Sequence, residues 1–410
     1  MTTHSQATYG RRVRACHITT VHPTFDVRIF FKECRSLAEA GFDVHLVACH
    51  DHDEVVDGVK IHALPKPPNR IARLLLWPIR AFFKAVRVGA DIYHLHDPEL
   101  VPLAVLLKYT TGATIIFDFH EDIAGQILTK FWVPKPLRWA LSSAVRLLNS
   151  LALIGMGVIE TDMIEDYYRQ PKQSVRNLPL LDRSSICVRN RSDFEGPAKL
   201  VYVGGVSELR GAMAMLQLAA KLRDRGGDFE LEIIGQPDRP ELAVQMADFV
   251  RANHLTDCVR ILGPKPYPEA MQAIRRATMG LCFLAPIPNY SYSLSTKILE
   301  YMAYGVPVVV SDVPCCRQYM EYTRGGLIVD LEDVDGIAEQ TASLLGDPDR
   351  MLAISRRSQQ MVLNELNWRH EARLLLRFYR RMIKGDIGPD PCWYHKPKQD
   401  QPIHVHCRSI

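Results

Sequence analysis

From Val13 onward, short β-type runs alternate with amphipathic helical stretches, and this alternation restricts the fold more than any other feature of the chain. A strand, a helix and a further strand in repeated succession build a parallel sheet covered by helices on both faces. The first series of runs predicts strands at Val13–Thr19, Val44–Ala48, Val59–Leu64, Ile92–Leu95, Thr114–Phe119 and Leu153–Glu160. The second predicts them at Leu200–Val203, Phe229–Ile234, Val259–Leu262, Gly280–Leu284, Val306–Val310 and Gly326–Val329. Between the two series, Asn177–Pro197 carries Pro179, several arginines and little apolar periodicity, and reads as a linker.

With 410 residues the chain exceeds what one core comfortably holds, so two doubly wound α/β domains are expected. The expected boundaries are residues 12–182 for a first Rossmann-like lobe and 183–367 for a second, with a basic, Leu-rich helix at 368–385 returning to the first. Polar, Pro-rich composition predicts disorder at 1–11 and 386–410. Ligands of such sheets bind at the carboxyl ends of the strands, so functional groups are expected on loops facing the gap between the lobes.

A net charge of +4 is too weak a field for a nucleic-acid partner. The ten cysteines form no CxxC pair and fit reduced thiols in the cytoplasm. The polar N-terminus and the absence of a long apolar run predict a protein that does not span a membrane. Peripheral contact remains open, because residues 69–90 combine Arg70, Arg73, Arg80, Lys84 and Arg87 with Leu74, Leu75, Leu76, Trp77, Ile79, Phe82 and Phe83. That pattern suits a helix lying on an anionic inner leaflet, and equally a core helix with a basic outer face.

Chemistry is most concentrated between Ser291 and Asp312. Here Ser293-Leu294-Ser295-Thr296-Lys297 opens a helix that ends at Gly305, before Val306-Pro307 and an all-apolar strand. Ser295 and Thr296 are N-cap types, the first N–H groups of a helix carry partial positive charge, and Lys297 adds a full one. Glu300, one turn further on, can accept the two hydroxyls of a ribose. A capped surface helix explains the same residues without a ligand. A second concentration, Val203-Gly204-Gly205-Val206-Ser207-Glu208-Leu209-Arg210-Gly211, follows a strand with two glycines and a cation, as a phosphate loop does.

The run Lys297-Ile298-Leu299-Glu300-Tyr301-Met302-Ala303-Tyr304-Gly305-Val306-Pro307 resembles the donor-site signature of the family-4 retaining glycosyltransferases and their relatives with the GT-B fold. The resemblance covers about residues 12–385. It implies that Glu300 binds the ribose of the donor and that His120, after the strand ending at Phe119, contacts the donor sugar. The chain departs from the family twice. Tyr292 stands eight positions before Glu300, where most members have a second glutamate, and Gly205 stands where a loop arginine is usual. Arg210 keeps the other loop cation. The wording Ser293-Leu294-Ser295-Thr296-Lys297, and His22-Pro23 with Asp26 and Arg28, is similar to a bacterial polysaccharide sub-branch of that family.

Other residues are expected at the cleft. Gly235 and Tyr267 follow strands of the second series, where a nucleobase can lie. His22, Asp26, Arg28, His96, Asp97 and Glu121 follow strands of the first series, on the acceptor side. A metal set of His94, His96, Asp118 and His120 is conceivable but not expected, and the pair Asp51 and Asp53 reads as a solvated loop.

The implied function is transfer of a sugar from a nucleoside diphosphate donor to a saccharide or lipid-linked acceptor, with retention and with no metal cofactor. Arg210, Lys297 and His120 are the catalytic candidates. Gly204, Gly205, Ser295, Thr296, Glu300, Gly235, Tyr267 and Tyr292 are the donor-binding ones. An epimerase on the same architecture, or a degenerate partner subunit, are the alternatives.

Overall fold

The computed structural model of the chain describes residues 11–119, 127–128, 134–161, 171–181, 186–287, 290 and 294–383. The terminal segments expected to be disordered lie outside that range, save residue 11. Two sheets form. The first contains β1 (Arg14–Pro23), β2 (Asp43–Cys49), β3 (Glu54–Val56), β4 (Val59–Leu64), β5 (Ile92–Leu95), β6 (Thr114–Phe119), β7 (Gly157–Glu160) and β8 (Lys172–Ser174), in the order 3-4-2-1-5-6-7-8. All its pairs are parallel except β3 with β4. The second sheet is wholly parallel and contains β9 (Ala198–Val203), β10 (Phe229–Ile234), β11 (Val259–Leu262), β12 (Met279–Cys282), β13 (Val308–Ser311) and β14 (Gly326–Val329), in the order 11-10-9-12-13-14.

Every residue of β5, β12 and β13 is buried, as strands covered on both faces require, which explains their continuous apolar runs. In each sheet the strand order reverses at the first strand, β1 or β9. The loops leaving β1, β5, β9 and β12 therefore open on the crevice where ligands of such sheets bind.

Differences from the sequence reading have local causes. The run expected to be a strand from Leu153 begins as strand only at Gly157, because Met156 N–H turns back to the Leu153 carbonyl at 3.0 Å. Likewise β13 starts at Val308: Val306 N–H returns to Tyr301 O at 3.0 Å and Pro307 has no N–H to give the ladder. The missed strands β3 and β8 are three-residue edge strands, too short to show a period. Within the linker expected at 177–197, the described residues pack in part: Leu178 and Phe194 are buried and Arg191–Phe194 forms a short helix.

The helix Trp368–Met382 buries Trp368, Ala372, Leu375, Leu376 and Tyr379, spaced at one helical face, beside Ile29, Phe30, Leu37 and Val44 of the first lobe. The preceding helix, Pro348–Asn364, buries Met351 and Val362 in the second lobe. Each such large side chain contributes about 1.5–3 kcal/mol of hydrophobic stabilisation. Polar contacts fix the crossing: Trp368 N–H donates to Pro179 O at 2.8 Å, and Arg176 holds the buried Glu371 through its guanidinium at 2.8 and 3.0 Å.

Candidate active site

At the crevice edge of the second lobe, two cations converge on one turn. A Cβ placed on Gly204 would lie 2.7 Å from Lys297 Nζ, and one on Gly205 would lie 2.8 Å from an Arg210 guanidinium nitrogen. The adjacent glycines thus leave space that both charged groups border. Lys297 Nζ donates to Tyr202 Oη at 3.1 Å and stands 4.2 Å from the centre of that ring; the Tyr202 hydroxyl in turn donates to Gly205 O at 2.6 Å. Arg210 Nε donates to Tyr290 Oη at 3.4 Å. Strand β9 supplies Tyr202, the loop after it the glycines and Arg210, and the helix Thr296–Ala303 supplies Lys297.

Ser295 occupies the N-cap of that helix but makes no side-chain cap bond to it. Thr296 and Lys297 are its first two residues, so the amide ends of the helix point toward the region where both cations lie. Glu300 is half-buried a turn later. Burial pushes its carboxyl above the usual range, and Lys32 and Lys297 pull it only part of the way back.

Lys32 belongs to the other lobe. It sits in the π-helix Val27–Cys34, is itself buried, donates from Nζ to Asn177 Oδ1 at 2.7 Å, and is pushed down to about 8 by burial and by Arg28, with Glu300 and Asp26 opposing. Nothing in its spacing marks it in the sequence. Only the fold brings it within electrostatic reach of Glu300.

Gly235 is also at this edge, in a role different from direct contact with a base. It is buried with φ 156°, and a Cβ there would lie 1.8 Å from Gly204 O. The loops after β9 and β10 pack backbone against backbone, with Val206 N–H to Gln236 O at 3.1 Å and Asp238 N–H to Val206 O at 2.9 Å. Tyr267 opens the helix Tyr267–Arg276, and its side chain lies outside the described part of the structure, as do Tyr292, His120 and Glu121.

In the first lobe Arg28, His96 and Asp97 are buried polar groups, with His22 and Asp26 half-buried beside them. Asp97 is fully buried and accepts from His22 Nδ1 at 2.9 Å, from the hydroxyls of Thr19 and Thr20, and from the amides of Thr20 and Val21. Burial alone would raise its carboxyl, but these donors hold it below the usual range. Asp26 caps the π-helix by accepting from the amides of Arg28 and Ile29 at 2.8 and 2.9 Å.

Three of the cleft expectations are therefore corrected: Arg28, His96 and Asp97 do not line the crevice. Arg28 forks onto Asp118 with two bonds of 2.9 Å, and His96 Nδ1 lies 3.2 Å from the same carboxylate. Such fully desolvated pairs order the loop after β1 from beneath. Trp77 is corrected too. It is buried, with its indole N–H donated to Pro65 O at 2.7 Å, and so is not part of any outer face of residues 69–90.

Two family models match the chain: "Glycosyl transferases group 1" over residues 197–347 and "Glycosyl transferase 4-like domain" over residues 30–155. The chain is 27% identical to a phosphatidyl-myo-inositol mannosyltransferase of Mycolicibacterium smegmatis over 86% of its own length and 88% of the relative's. It is 31% identical to a D-inositol 3-phosphate glycosyltransferase of Thermobispora bispora over 65% of its length and 64% of that protein's. Its fold is similar to that of Anabaena HepE in complex with UDP-glucose, with a TM-score of 0.66 at 8% identity, covering 90% of this chain and 100% of the other. These matches are transferases, which overturns the epimerase alternative.

Proposed function

We propose that this chain, a glycosyltransferase of the GT-B fold, moves a hexosyl group from a nucleoside diphosphate sugar to a saccharide or lipid-linked acceptor, with retention of anomeric configuration. The observation that carries the reading is the convergence of Lys297 and Arg210 on the Gly204-Gly205 turn, with Glu300 one helical turn away. When the sugar departs, negative charge accumulates on the diphosphate. Lys297, Arg210 and the N-terminal amides of the helix Thr296–Ala303 lie where they stabilise it without reorganising. Glu300 accepts from the ribose hydroxyls, and the Gly204-Gly205 backbone allows the phosphates to approach. Two side-chain cations and a helix terminus supply the charge compensation, so the transfer step is proposed to proceed without a metal.

The retaining outcome rests on the resemblance of the Lys297–Pro307 run. His120 keeps the sugar-contacting role that the resemblance implies, and Tyr292, which replaces the usual glutamate, is the donor-side candidate at that position. The named relatives include a mannosyltransferase acting on an inositol phospholipid and an inositol phosphate glycosyltransferase, and HepE binds UDP-glucose. A hexosyl donor and a polyol or lipid-borne acceptor for this chain follow those names. No helix among the described residues is long and apolar enough to cross a membrane. Exposed Ile71, Leu74, Leu75, Ile79 and Phe83 stand beside Arg70, Arg80, Lys84 and Arg87, an arrangement that supports peripheral contact with an anionic cytoplasmic leaflet.

The test is transfer to a panel of saccharide and lipid-linked acceptors from UDP-, GDP-, ADP- and dTDP-sugars, with and without chelator. Acceptor-dependent product that is lost in Lys297→Ala supports the reading. Near-normal turnover by Lys297→Ala overturns the site, and turnover abolished by chelator with Tm unchanged overturns the metal-free step.

A further inference from the structure

Beneath the loop after β1, strands β1 and β5 are neighbours in register, with His17 opposite His94. Period-two alternation puts His96 on the same face as His94, and the three imidazoles cluster with ring centres 4.4–5.1 Å apart. Glu33 enters from the π-helix above them. All four side chains are fully buried. One ligand atom from each lies within 4.8 Å of the other three, and the shortest approaches are His17 Nδ1 to His96 Nε2 at 2.9 Å, His94 Nδ1 to Glu33 Oε2 at 3.6 Å and His17 Nδ1 to Glu33 Oε2 at 4.0 Å.

We propose that His17, Glu33, His94 and His96 form a closed tetrahedral site for a divalent transition metal, zinc being the best fit to three imidazoles and one carboxylate. Four ligands about 2.0–2.1 Å from a central ion stand roughly 3.4 Å apart, close to the separations found here.

The surroundings orient His96 and His17 as a metal requires, whereas His94 turns Nδ1 to Tyr379 Oη at 2.7 Å as well as to Glu33 and would have to give up the tyrosine to coordinate. His96 presents its far nitrogen, Nδ1, to Asp118 at 3.2 Å, and Arg28 grips that carboxylate through both oxygens. His17 presents Nε2 to Tyr379 Oη at 3.1 Å. Protons on those outer nitrogens would turn the lone pairs of His17 Nδ1 and His96 Nε2 toward each other, 2.9 Å apart, and a cation between them satisfies both.

A metal-free arrangement is also constructible. Protons can run from His94 Nδ1 through Tyr379 Oη and His17 to His96 and Asp118, since His94 Nδ1 is 2.7 Å from Tyr379 Oη. That chain satisfies most imidazole nitrogens and leaves both Glu33 oxygens buried without a hydrogen-bond donor. Burying a polar group in that state is costly. A metal bound to Oε2 removes half of that deficit and leaves Oε1 to its ion pair with Arg28 at 3.2 Å.

The site would fasten β1, β5 and the π-helix that carries Lys32. It has no open coordination position and lies below the crevice floor, so its role is structural and independent of sugar transfer.

The full chain, purified without metal-chelating resin, is analysed for metal by mass spectrometry, stripped with chelator, and reloaded with Zn²⁺ or Co²⁺. One equivalent per chain, a visible Co²⁺ spectrum of tetrahedral intensity and a lower Tm after stripping are expected. His94→Gln and Glu33→Gln should lose the equivalent, while His52→Ala, in the exposed His50-His52-Glu54 group, should keep it. Substoichiometric zinc after reloading, with no Co²⁺ spectrum and no Tm change in the wild-type chain, overturns the site without any variant needing to fold. Full stoichiometry that persists in both buried variants and falls in His52→Ala overturns it as well.

Discussion

Lys297 reaches its position by leaning on Tyr202: its Nζ donates to the phenol oxygen at 3.1 Å and lies 4.2 Å from the ring centre, while the same hydroxyl donates to Gly205 O. One tyrosine of β9 thereby aims the cation and shapes the glycine turn. Tyr202→Phe keeps the ring beneath the charge and removes both hydrogen bonds. Its expected effect is a donor KM raised about tenfold, the size of one hydrogen bond to a charged group. Lys297→Ala removes the charge and should cost about 10²–10³ in kcat, as for a preorganised donor to developing charge. Equal kinetic effects of the two variants would show that Lys297 acts only through the tyrosine.

Glu300 makes a testable link between function and stability. Its folded-state carboxyl is raised by burial, only partly offset by Lys32 and Lys297, so the folded chain binds its proton more tightly than the unfolded chain does. Stability from this group is present below the ordinary glutamate value of about 4.3 and declines as pH rises through the elevated folded value. Glu300→Gln should therefore melt higher than wild type at pH 7–8 without ligand, with the difference vanishing near pH 4. The same variant should lose the thermal shift produced by a nucleoside diphosphate sugar. A variant that melts lower at pH 7–8 and still responds to the donor contradicts both halves.

The split between what the sequence displayed and what it hid follows from range. Strands such as β5 and β13 were legible because burial on both faces imposes an unbroken apolar run, and Lys297, Glu300 and Arg210 because a helix start and a strand-to-helix turn are local patterns. The edge strands β3 and β8 carry no period to read. Lys32 meets Glu300 across the lobes, and Glu33 meets His17 and His94 through a π-helix laid over a sheet; no spacing along the chain encodes either meeting. His96 and Asp97 leave β5, and Arg28 opens the π-helix after β1, as function would have it, yet they turn inward because each finds a buried partner there.

The Arg28–Asp118 pair supplies a purely structural prediction. Both groups are buried, and removing one leaves the other charged without its fork. Arg28→Ala should lower unfolding free energy by about 3–5 kcal/mol in urea titrations, and Arg28→Lys should recover little, since a point charge cannot bridge both oxygens. A loss below about 1 kcal/mol for the alanine variant, the scale of an exposed pair, would show that water reaches the pair.

Peripheral attachment can be separated from folding because the residues concerned are exposed. Ile79→Ser with Phe83→Ser should leave Tm nearly unchanged and reduce co-sedimentation with anionic vesicles, and raising salt should weaken the wild-type binding. Equal binding to neutral and anionic vesicles would remove the role assigned to Arg80, Lys84 and Arg87.

Gly235 gives the sharpest test of how the donor turn is built. A Cβ at this position falls 1.8 Å from Gly204 O, and the residue's φ of 156° disfavours any side chain. The obstacle is backbone, so no rotamer change relieves it. The two loops must part, breaking the contacts between Val206 and Gln236 and between Asp238 and Val206. Because Gly204 and Gly205 border Lys297 and Arg210, parting the loops displaces the cations from each other's target. Gly235→Ala should therefore lose donor binding by more than its stability loss accounts for, with backbone strain of about 1–3 kcal/mol as the thermodynamic scale. Gly263→Ala is the matched control, since a Cβ there meets nothing within 4 Å, and it should bind donor normally. Calorimetry of both variants at a temperature where each remains folded decides the matter: unchanged donor affinity in Gly235→Ala would mean that the phosphate site does not depend on the packed pair of loops.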